Sequence, residues 1–506
     1  MLLASIVTVS EEVAATSGRL AKIAALAAVL REAGPHEVPI AVAYLSGDLP
    51  QRQIGVGWAT LRDATGAHAG EPTLTLGEVD AAFSAIGAVS GAGSTALRRT
   101  LVSELFGRAT AAEQQFMIRL LSGELRQGAL EGVMTDAVAK AADLPLADVR
   151  RAAMLRGSLG PVAAAALSGG AGGGAEALRA FGLRVGQPVR PMLAASAPSI
   201  EDAFGKIGGE AGVEWKLDGI RVQAHILNGD VRLFTRTLDD ITSRMPEVVA
   251  ALAQLPARAA VLDGELIALG PDGRPMMFQD TASRAASETG AALSAFFFDA
   301  LHLDGADLID LPYWRRRSEL AWAVPADMLM PQVVTDSADE ATLFFKDALQ
   351  NGHEGVVVKA LDGVYTAGRR GAGWIKVKPR HTLDLVVLAV EWGHGRRQGW
   401  LSNLHLGARD PETGGFVMLG KTFKGLTDEL LTWQTSRLLE LETRRDSYTV
   451  YVRPELVVEI AFDGVQRSPR YPGGLALRFA RVLRYRDDKP ATEADTIETV
   501  RALSPG

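Results

Sequence analysis

The spacing of apolar residues changes twice along this 506-residue chain, and those two changes limit its possible folds more than any other feature. Up to about residue 175 the apolar residues recur at i, i+3, i+4 and i+7. Examples are KIAALAAVLREA from Lys22 and AAEQQFMIRLLSGELRQGALEGVMTDAVAKAADL from Ala111. That period lays an apolar stripe along one face of a helix and predicts an all-α region. From Val185 to about Pro379 short strand-like runs alternate with helical ones, which predicts an α+β region. From His381 onward the runs are mostly strand-like, with one helix, TDELLTWQTSRLLELE. About five short strands and one helix in so short a stretch suit a small OB-type β-barrel. The length fits about three domains, with expected limits of 1–175, 176–380 and 381–506.

Local signals refine this outline. RVQAHIL and DVRLFTR flank Asn228-Gly229, the strongest short hairpin signal. AAVLDGELIAL, SAFFFDALHL, EGVVVKAL and WIKVKP read as further strands, and PEVVAALAQL and DEATLFFKDALQ as helices. The Gly/Ala-rich SGGAGGGAEAL from Ser168 reads as a flexible connection. It is not a dinucleotide-binding loop, because no strand precedes it and no acid is spaced to hold a ribose. No internal repeat is present.

Composition excludes whole classes of chemistry. With no cysteine there is no disulfide, thiolate zinc site, iron–sulfur cluster or cysteine nucleophile. No apolar run approaches the ~20 residues of a membrane span, and no Lys or Arg precedes Arg19 to form the basic start of a signal peptide. A cytoplasmic protein is expected. The net charge of −7 argues, as a total, against a nucleic-acid partner. Its distribution argues the reverse: residues 365–400 and 467–490 each hold seven Lys/Arg against two Asp/Glu. Phosphate binding depends on charge within a Debye length of about 8–10 Å. Only 11 of the 53 basic residues are lysine. Where an Arg-rich chain keeps lysine, a flexible, titratable amine is a plausible requirement, and Lys216, Lys359, Lys376 and Lys378 fall in one stretch.

Three segments carry chemistry. In Glu214-Trp-Lys216-Leu-Asp218-Gly219-Ile-Arg221 a lysine precedes a tight Asp-Gly turn between two strands, so its amine projects into a cleft beside an arginine. Asp263-Gly264-Glu265 and Glu354-Gly355 place carboxylates at two separate strands, and such a pair facing one cleft suits a hard divalent cation such as Mg²⁺. In Trp374-Ile-Lys376-Val-Lys378-Pro379 the strand period puts both lysines on one face. Two adjacent ammonium groups call for an anion between them, and a polyphosphate is the natural one. Gly368-Arg-Arg370-Gly371 adds guanidiniums, and Phe296-Phe-Phe298-Asp299 offers an aromatic face for a base.

In this order KLDGIR, TRTLDD, LDGELIAL, FFFDALHL, EGVVVK and WIKVKP resemble the nucleotidyltransferase motifs of ATP-dependent DNA ligases. Arg484-Tyr-Arg486-Asp-Asp488-Lys489 resembles the family's last motif. The resemblance covers essentially the whole chain and is nearest to the bacterial three-domain branch, the actinobacterial LigB type. It implies a helical DNA-binding domain, an adenylation (nucleotidyltransferase) domain entered near RPMLA at Arg190, and a C-terminal OB-fold domain. The implied activity is sealing of 3′-hydroxyl/5′-phosphate nicks in duplex DNA, in repair, recombination or replication. The implied cofactors are ATP and Mg²⁺, with Mn²⁺ as a substitute, and the implied form is a monomer that encircles DNA in the bacterial nucleoid.

Residue by residue, the resemblance makes Lys216 the nucleophile that attacks the ATP α-phosphate. Glu214 and Arg221 contact the nucleotide, Arg236 a phosphate, Glu265 the ribose or a metal ion, and Phe298 the adenine. Glu354 is the main metal carboxylate, while Arg370, Lys376 and Lys378 neutralise phosphates. Arg486, Asp488 and Lys489 close over the pyrophosphate when the OB domain swings in. The resemblance does not assign the DNA contacts of the helical region, for which Arg119 and Arg126 are candidates. A free lysine, pKa about 10.4, is neutral in about one molecule in 2,500 at pH 7, so neighbouring cations are expected to lower the pKa of Lys216.

Three rivals remain. Gly415-Phe-Val-Met-Leu-Gly420-Lys421-Thr422 fits the P-loop pattern, but its bulky apolar centre after the turn-like DPETGG reads as a hairpin strand. RNA ligases and mRNA-capping guanylyltransferases share the central motifs, and the helical front region argues against them. A non-catalytic DNA-binding protein on the same scaffold would be expected to lack the nucleophile or metal carboxylate. Lys216→Ala is expected to abolish a covalent enzyme–AMP adduct, as seen by mass spectrometry after incubation with ATP and Mg²⁺, while Lys421→Ala retains it.

Overall fold

The computed structural model describes residues 1–506 except 126, 128–130, 169, 287–291, 367–369, 380, 395–396 and 504–506. Helices from Leu3–Ala15 to Gly170–Arg179 make up the N-terminal region, around a core that includes Leu26, Phe83, Phe106 and Phe116. Two helix starts follow from sequence alone. Thr75 with Glu78, and Thr110 with Glu113, form reciprocal capping boxes that open Leu76–Ala88 and Ala111–Leu121.

The expected flexible Gly/Ala connection is instead a helix, Gly170–Arg179, packed on Leu159–Ser168. The reason is close approach rather than propensity. A Cβ at Gly174 would lie 2.4 Å from the Ala166 carbonyl oxygen, so glycine lets the two helices meet backbone to backbone, and Leu178 is buried in the contact. Read locally, glycines signal freedom; here they serve packing.

The middle of the chain forms two five-stranded sheets. In the first, the order is Leu193–Ala197, Arg370–Val377, Gly355–Ala360, Ala211–Lys216, Gln332–Thr335. In the second it is Asp230–Thr235, Ile220–Leu227, Ala259–Ala268, Leu293–Leu303, Ala306–Asp307. The expected hairpin turns at Asn228-Gly229, both at positive φ. One buried charge pair fixes the second sheet to its covering helix, Tyr313–Ala323. Arg316 and Asp299 are both fully buried, bonded at 2.7 and 2.9 Å, and Arg316 also donates to the carbonyls of Leu311 and Gly363.

The C-terminal region is a β unit built on one long strand, His381–Trp392, which pairs with Leu401–Arg409, Thr449–Val452 and Val457–Phe462. Phe416–Thr422 pairs with Leu401–Arg409, so the P-loop look-alike is a strand, and its Lys421 pairs with Glu391. Among the described residues the strand path is open, running from Phe416–Thr422 to Glu442–Arg445 with Arg481–Tyr485 on a branch. The expected closed barrel is therefore not found in the pairing. No helix among the described residues is long and apolar enough to cross a membrane.

Arg316→Ala should destabilise the middle region by about 3–5 kcal/mol, because it leaves the Asp299 carboxylate buried and unpaired. Replacing both partners with apolar residues should recover much of that loss. Urea denaturation of both variants checks the difference.

Candidate active site

A cleft of about 770 Å³ opens between the two sheets, and strand register decides what faces it. Ala211–Lys216 runs antiparallel to Gly355–Ala360 with Lys216 opposite Gly355, so the amine and the preceding Glu354 meet at one strand end. The Glu354 amide also donates to the Lys216 carbonyl at 2.9 Å. In the second sheet Arg221 stands opposite Glu265, and Glu265 opposite Phe296. The turn joining the two sheets is tight: a Cβ on Gly219 would lie 2.2 Å from the Leu266 carbonyl oxygen. No other residue would let Asp218 and Ile220 pass so close to that strand. On Arg370–Val377, Ile375 and Val377 are buried, and Lys376 and Lys378 line the cleft, as the period of two predicts.

Glu354 is the electrostatic centre. Its carboxylate bridges the ammonium groups of Lys216 and Lys378. Burial raises its pKa, but the two lysines outweigh that and hold it below the ordinary carboxylate range. Burial likewise favours neutral Lys216, yet Glu354 and Glu265 raise its pKa above the ordinary value. The expectation that cations would lower it therefore fails in the ligand-free cleft, because the nearest charges are carboxylates. Burial pushes Glu265 up to about 7, against the pull of Lys216 and Arg221.

Below the cleft lies a layer of engaged polar groups. Arg221 bonds Asp263 at 2.6 and 3.0 Å and the Met192 carbonyl at 2.6 Å, under the rings of Phe298 and Trp374. Burial opposes its charge, but Asp263 keeps it protonated. Glu214 is 2% exposed, pairs with Lys359 at 2.5 Å and accepts from Tyr313. In the ligand-free cleft, which Glu214 also lines, its carboxylate is held by these two partners. Lys359 is itself boxed by Trp374, Phe298 and Tyr313, with its Nζ 4.3, 4.5 and 4.7 Å from their ring centres. Burial lowers its pKa further than Glu214 and Asp299 restore it.

Relatives share this chain from end to end. A protein named probable DNA ligase from Beutenbergia cavernae is 59% identical over all of both chains. One of the same name from Mycolicibacterium gilvum is 58% identical over 99% of each. Residues 191–378 match the family described as ATP dependent DNA ligase domain, 397–489 the ATP dependent DNA ligase C terminal region, and 62–139 the DNA ligase N terminus. The chain belongs to the ATP-dependent DNA ligases. Their three-part layout is present here: a helical N-terminal region, a nucleotidyltransferase domain and a C-terminal β domain. The fold is shared with a solved structure described as Pmar-Lig_Pre, which superposes with a TM-score of 0.66 at 18% identity, over 95% of this chain and 99% of that one.

Nine of the ligase motif residues named from sequence come together at this cleft: Lys216, Glu214, Arg221, Arg236, Glu265, Phe298, Glu354, Lys376 and Lys378. Arg236 is exposed in the turn after Asp230–Thr235. The Arg370 side chain and Arg126 lie outside the described residues, and Arg119 is half-buried in the last turn of Ala111–Leu121. Arg486, Asp488 and Lys489 do not reach the cleft. Arg486 and Lys489 each bond Asp384 at 2.7 Å within the C-terminal domain, and Arg486 grips Asp488 at 2.8 and 2.9 Å. The C-terminal domain instead presents Asp463, Arg478 and Phe479 to the cleft. These three and the buried Lys359 carried no role in the sequence reading. The scarcity of lysine did single out Lys359, while the other three belong to strand ends without a local signature.

Because Lys216 is held above its ordinary pKa, amine-labelling of Lys216 in the ligand-free enzyme should rise about tenfold per pH unit through neutrality and not level off below pH about 10. Trace labelling followed by peptide mass spectrometry reads this directly, and a plateau near pH 8 would contradict it.

Proposed function

We propose that this enzyme seals 3′-hydroxyl/5′-phosphate nicks in duplex DNA through a lysyl-AMP intermediate on Lys216. The observation that carries the reading is the row Lys216–Glu354–Lys378 with Lys376 beside it, a nucleophile adjoining paired phosphate cations at one strand end. In the first step the neutral Lys216 amine attacks the ATP α-phosphorus, a P–N bond forms, and pyrophosphate leaves. In the second a DNA 5′-phosphate oxygen attacks the same phosphorus, returning the electron pair to Lys216 and giving a DNA adenylate. In the third the 3′-hydroxyl attacks the 5′-phosphorus and AMP leaves. Positioning and charge neutralisation supply the catalysis.

Lys376, Lys378 and Arg370 take the phosphates, Phe298 stacks on the base, and Arg236 receives the 5′-phosphate. Lys359 serves as a base-edge donor. Arg221, pinned by Asp263, presents its remaining face to the ribose, and Glu214 acts through Lys359. Glu265 and Glu354 would hold a divalent cation. The donor set fits Mg²⁺, or Mn²⁺ in its place, since two carboxylates plus substrate phosphates and waters is a usual Mg²⁺ arrangement. Among the described residues no cluster of three or more His, Asp or Glu offers an all-protein cage. A cation there would offset Glu354 and so ease deprotonation of Lys216.

The finer architecture belongs to this reading as well. The domains are 1–175, 176–380 and 381–506, and the last is an OB-type domain, open in its pairing. It turns to bring Arg486, Asp488 and Lys489 over the pyrophosphate, and the monomer closes around DNA with Arg119 among its contacts. A bacterial cytoplasmic, nucleoid-associated enzyme of repair, recombination or replication fits that role.

ATP should support sealing of a nicked duplex, and GTP or NAD should not. A denaturing-gel ligation assay with each nucleotide separately is the check, and sealing with NAD or of RNA alone would overturn the assignment.

A further inference from the structure

A chain of hydrogen-bond donors converges on the buried Glu214 carboxylate. It begins on the helix Tyr313–Ala323, where Tyr313 and Arg317 lie one turn apart on the same face. Arg317 is held by the Met330 carbonyl at 2.6 Å, and its Nε donates to Gln332 Oε1 at 3.3 Å. Gln332 Nε2 donates to the Tyr313 hydroxyl at 2.7 Å and lies 3.4 Å from Glu214 Oε1. The Tyr313 hydroxyl in turn donates to Glu214 Oε1. Strand register sets Gln332 opposite Glu214. Gly212 leaves room for the contact, since a Cβ there would lie 2.7 Å from Gln332 Nε2 and 3.1 Å from Tyr313 Cε1.

The direction of this chain is fixed by what each group can offer. A guanidinium has no acceptor, so Gln332 turns its carbonyl to Arg317 and its amine to Tyr313. The Tyr313 oxygen then accepts from Gln332 and gives its single proton to Glu214. The other carboxylate oxygen, Oε2, is left for Lys359 Nζ at 2.5 Å. Lys359 has three N–H donors. Glu214 takes one and the Phe298 carbonyl, at 3.4 Å, a second. The third is the one a base edge can use. Burial works against the Lys359 ammonium, and Glu214 is the charge that supports it most.

We propose that Tyr313 is a specificity-determining positioning residue: its hydroxyl fixes Glu214, and Glu214 aims the remaining Lys359 N–H at purine N1. Tyr313 is fully buried and acts through Glu214. In a 6-aminopurine N1 is an acceptor and completes the set of Lys359 bonds. In a 6-oxopurine N1 carries a hydrogen, which meets the ammonium donor to donor. An ammonium held in this one place therefore favours ATP over ITP and GTP. The inference rests on the assignment of Lys359 as the base-edge donor in the proposed function.

The test follows covalent adduct formation by the full-length protein with Mg²⁺, using mass spectrometry at low nucleotide concentration. ATP is compared with 1-deaza-ATP, in which a C–H replaces N1. Wild type should favour ATP about tenfold, the scale of one charge-assisted hydrogen bond. Tyr313→Phe keeps the ring, which lies 4.7 Å from Lys359 Nζ, and removes only the hydroxyl. It should bring the two rates within about twofold by slowing ATP alone. A loss shared equally by both nucleotides marks a merely structural role, and an unchanged preference leaves the hydroxyl without effect; either result overturns the proposal. Wild-type protein that does not distinguish the two nucleotides overturns the assignment of Lys359 together with the proposal. Wild-type protein that forms no adduct with ATP overturns the proposed function itself.

Discussion

The bridge from Lys216 through Glu354 to Lys378 is the constraint on which the rest of the site depends. Two ammonium groups share one carboxylate at adjoining strand ends, in a cleft where burial alone would favour neutral Lys216 and neutral Glu354. The pairing outweighs burial and keeps Lys216 and Glu354 charged. The scaffold can be understood from this need. The first sheet supplies all three residues from neighbouring strands, so their spacing is set by interstrand distance rather than by flexible loops. The second sheet closes the other wall, and the buried Arg316–Asp299 and Arg221–Asp263 pairs hold that wall in place.

The ligand-free enzyme is thus set against its own chemistry. Lys216, the proposed nucleophile, is more firmly protonated than a free lysine. Anything that satisfies Glu354 by other means, cation or repositioned lysine, changes the balance. The C-terminal domain takes part in the same balance from outside, through Asp463 on Lys378 and Arg478 on Asp218. Meanwhile Arg486 and Lys489 are held on Asp384, away from the cleft.

Much of this was legible beforehand because the relevant signals are local. A period of two on WIKVKP places Lys376 and Lys378 side by side whatever surrounds them, and Asn228-Gly229 specifies its hairpin unaided. The P-loop look-alike was also decidable locally, since four bulky residues suit a strand and do not suit a phosphate loop. The failures share one cause. Whether glycines near residue 170 form a linker or a helix contact depends on the Ala166 backbone 2.4 Å from where a Cβ would lie. Whether the pKa of Lys216 is pushed up or down depends on Glu354, 138 residues away along the chain.

The sequence by itself therefore determined which motif residues would line the cleft, the order of the three regions and the strands that present the paired lysines, since propensity, period and residue type are properties of short segments. Only the tertiary structure decided their electrostatic state. A pKa or an ion pair is set by distances between segments far apart in sequence. That is why Lys216 is pushed up rather than down, why Lys359 sits boxed and paired beneath the cleft, and why the C-terminal domain meets the cleft with Asp463 and Arg478 while its last motif lies elsewhere.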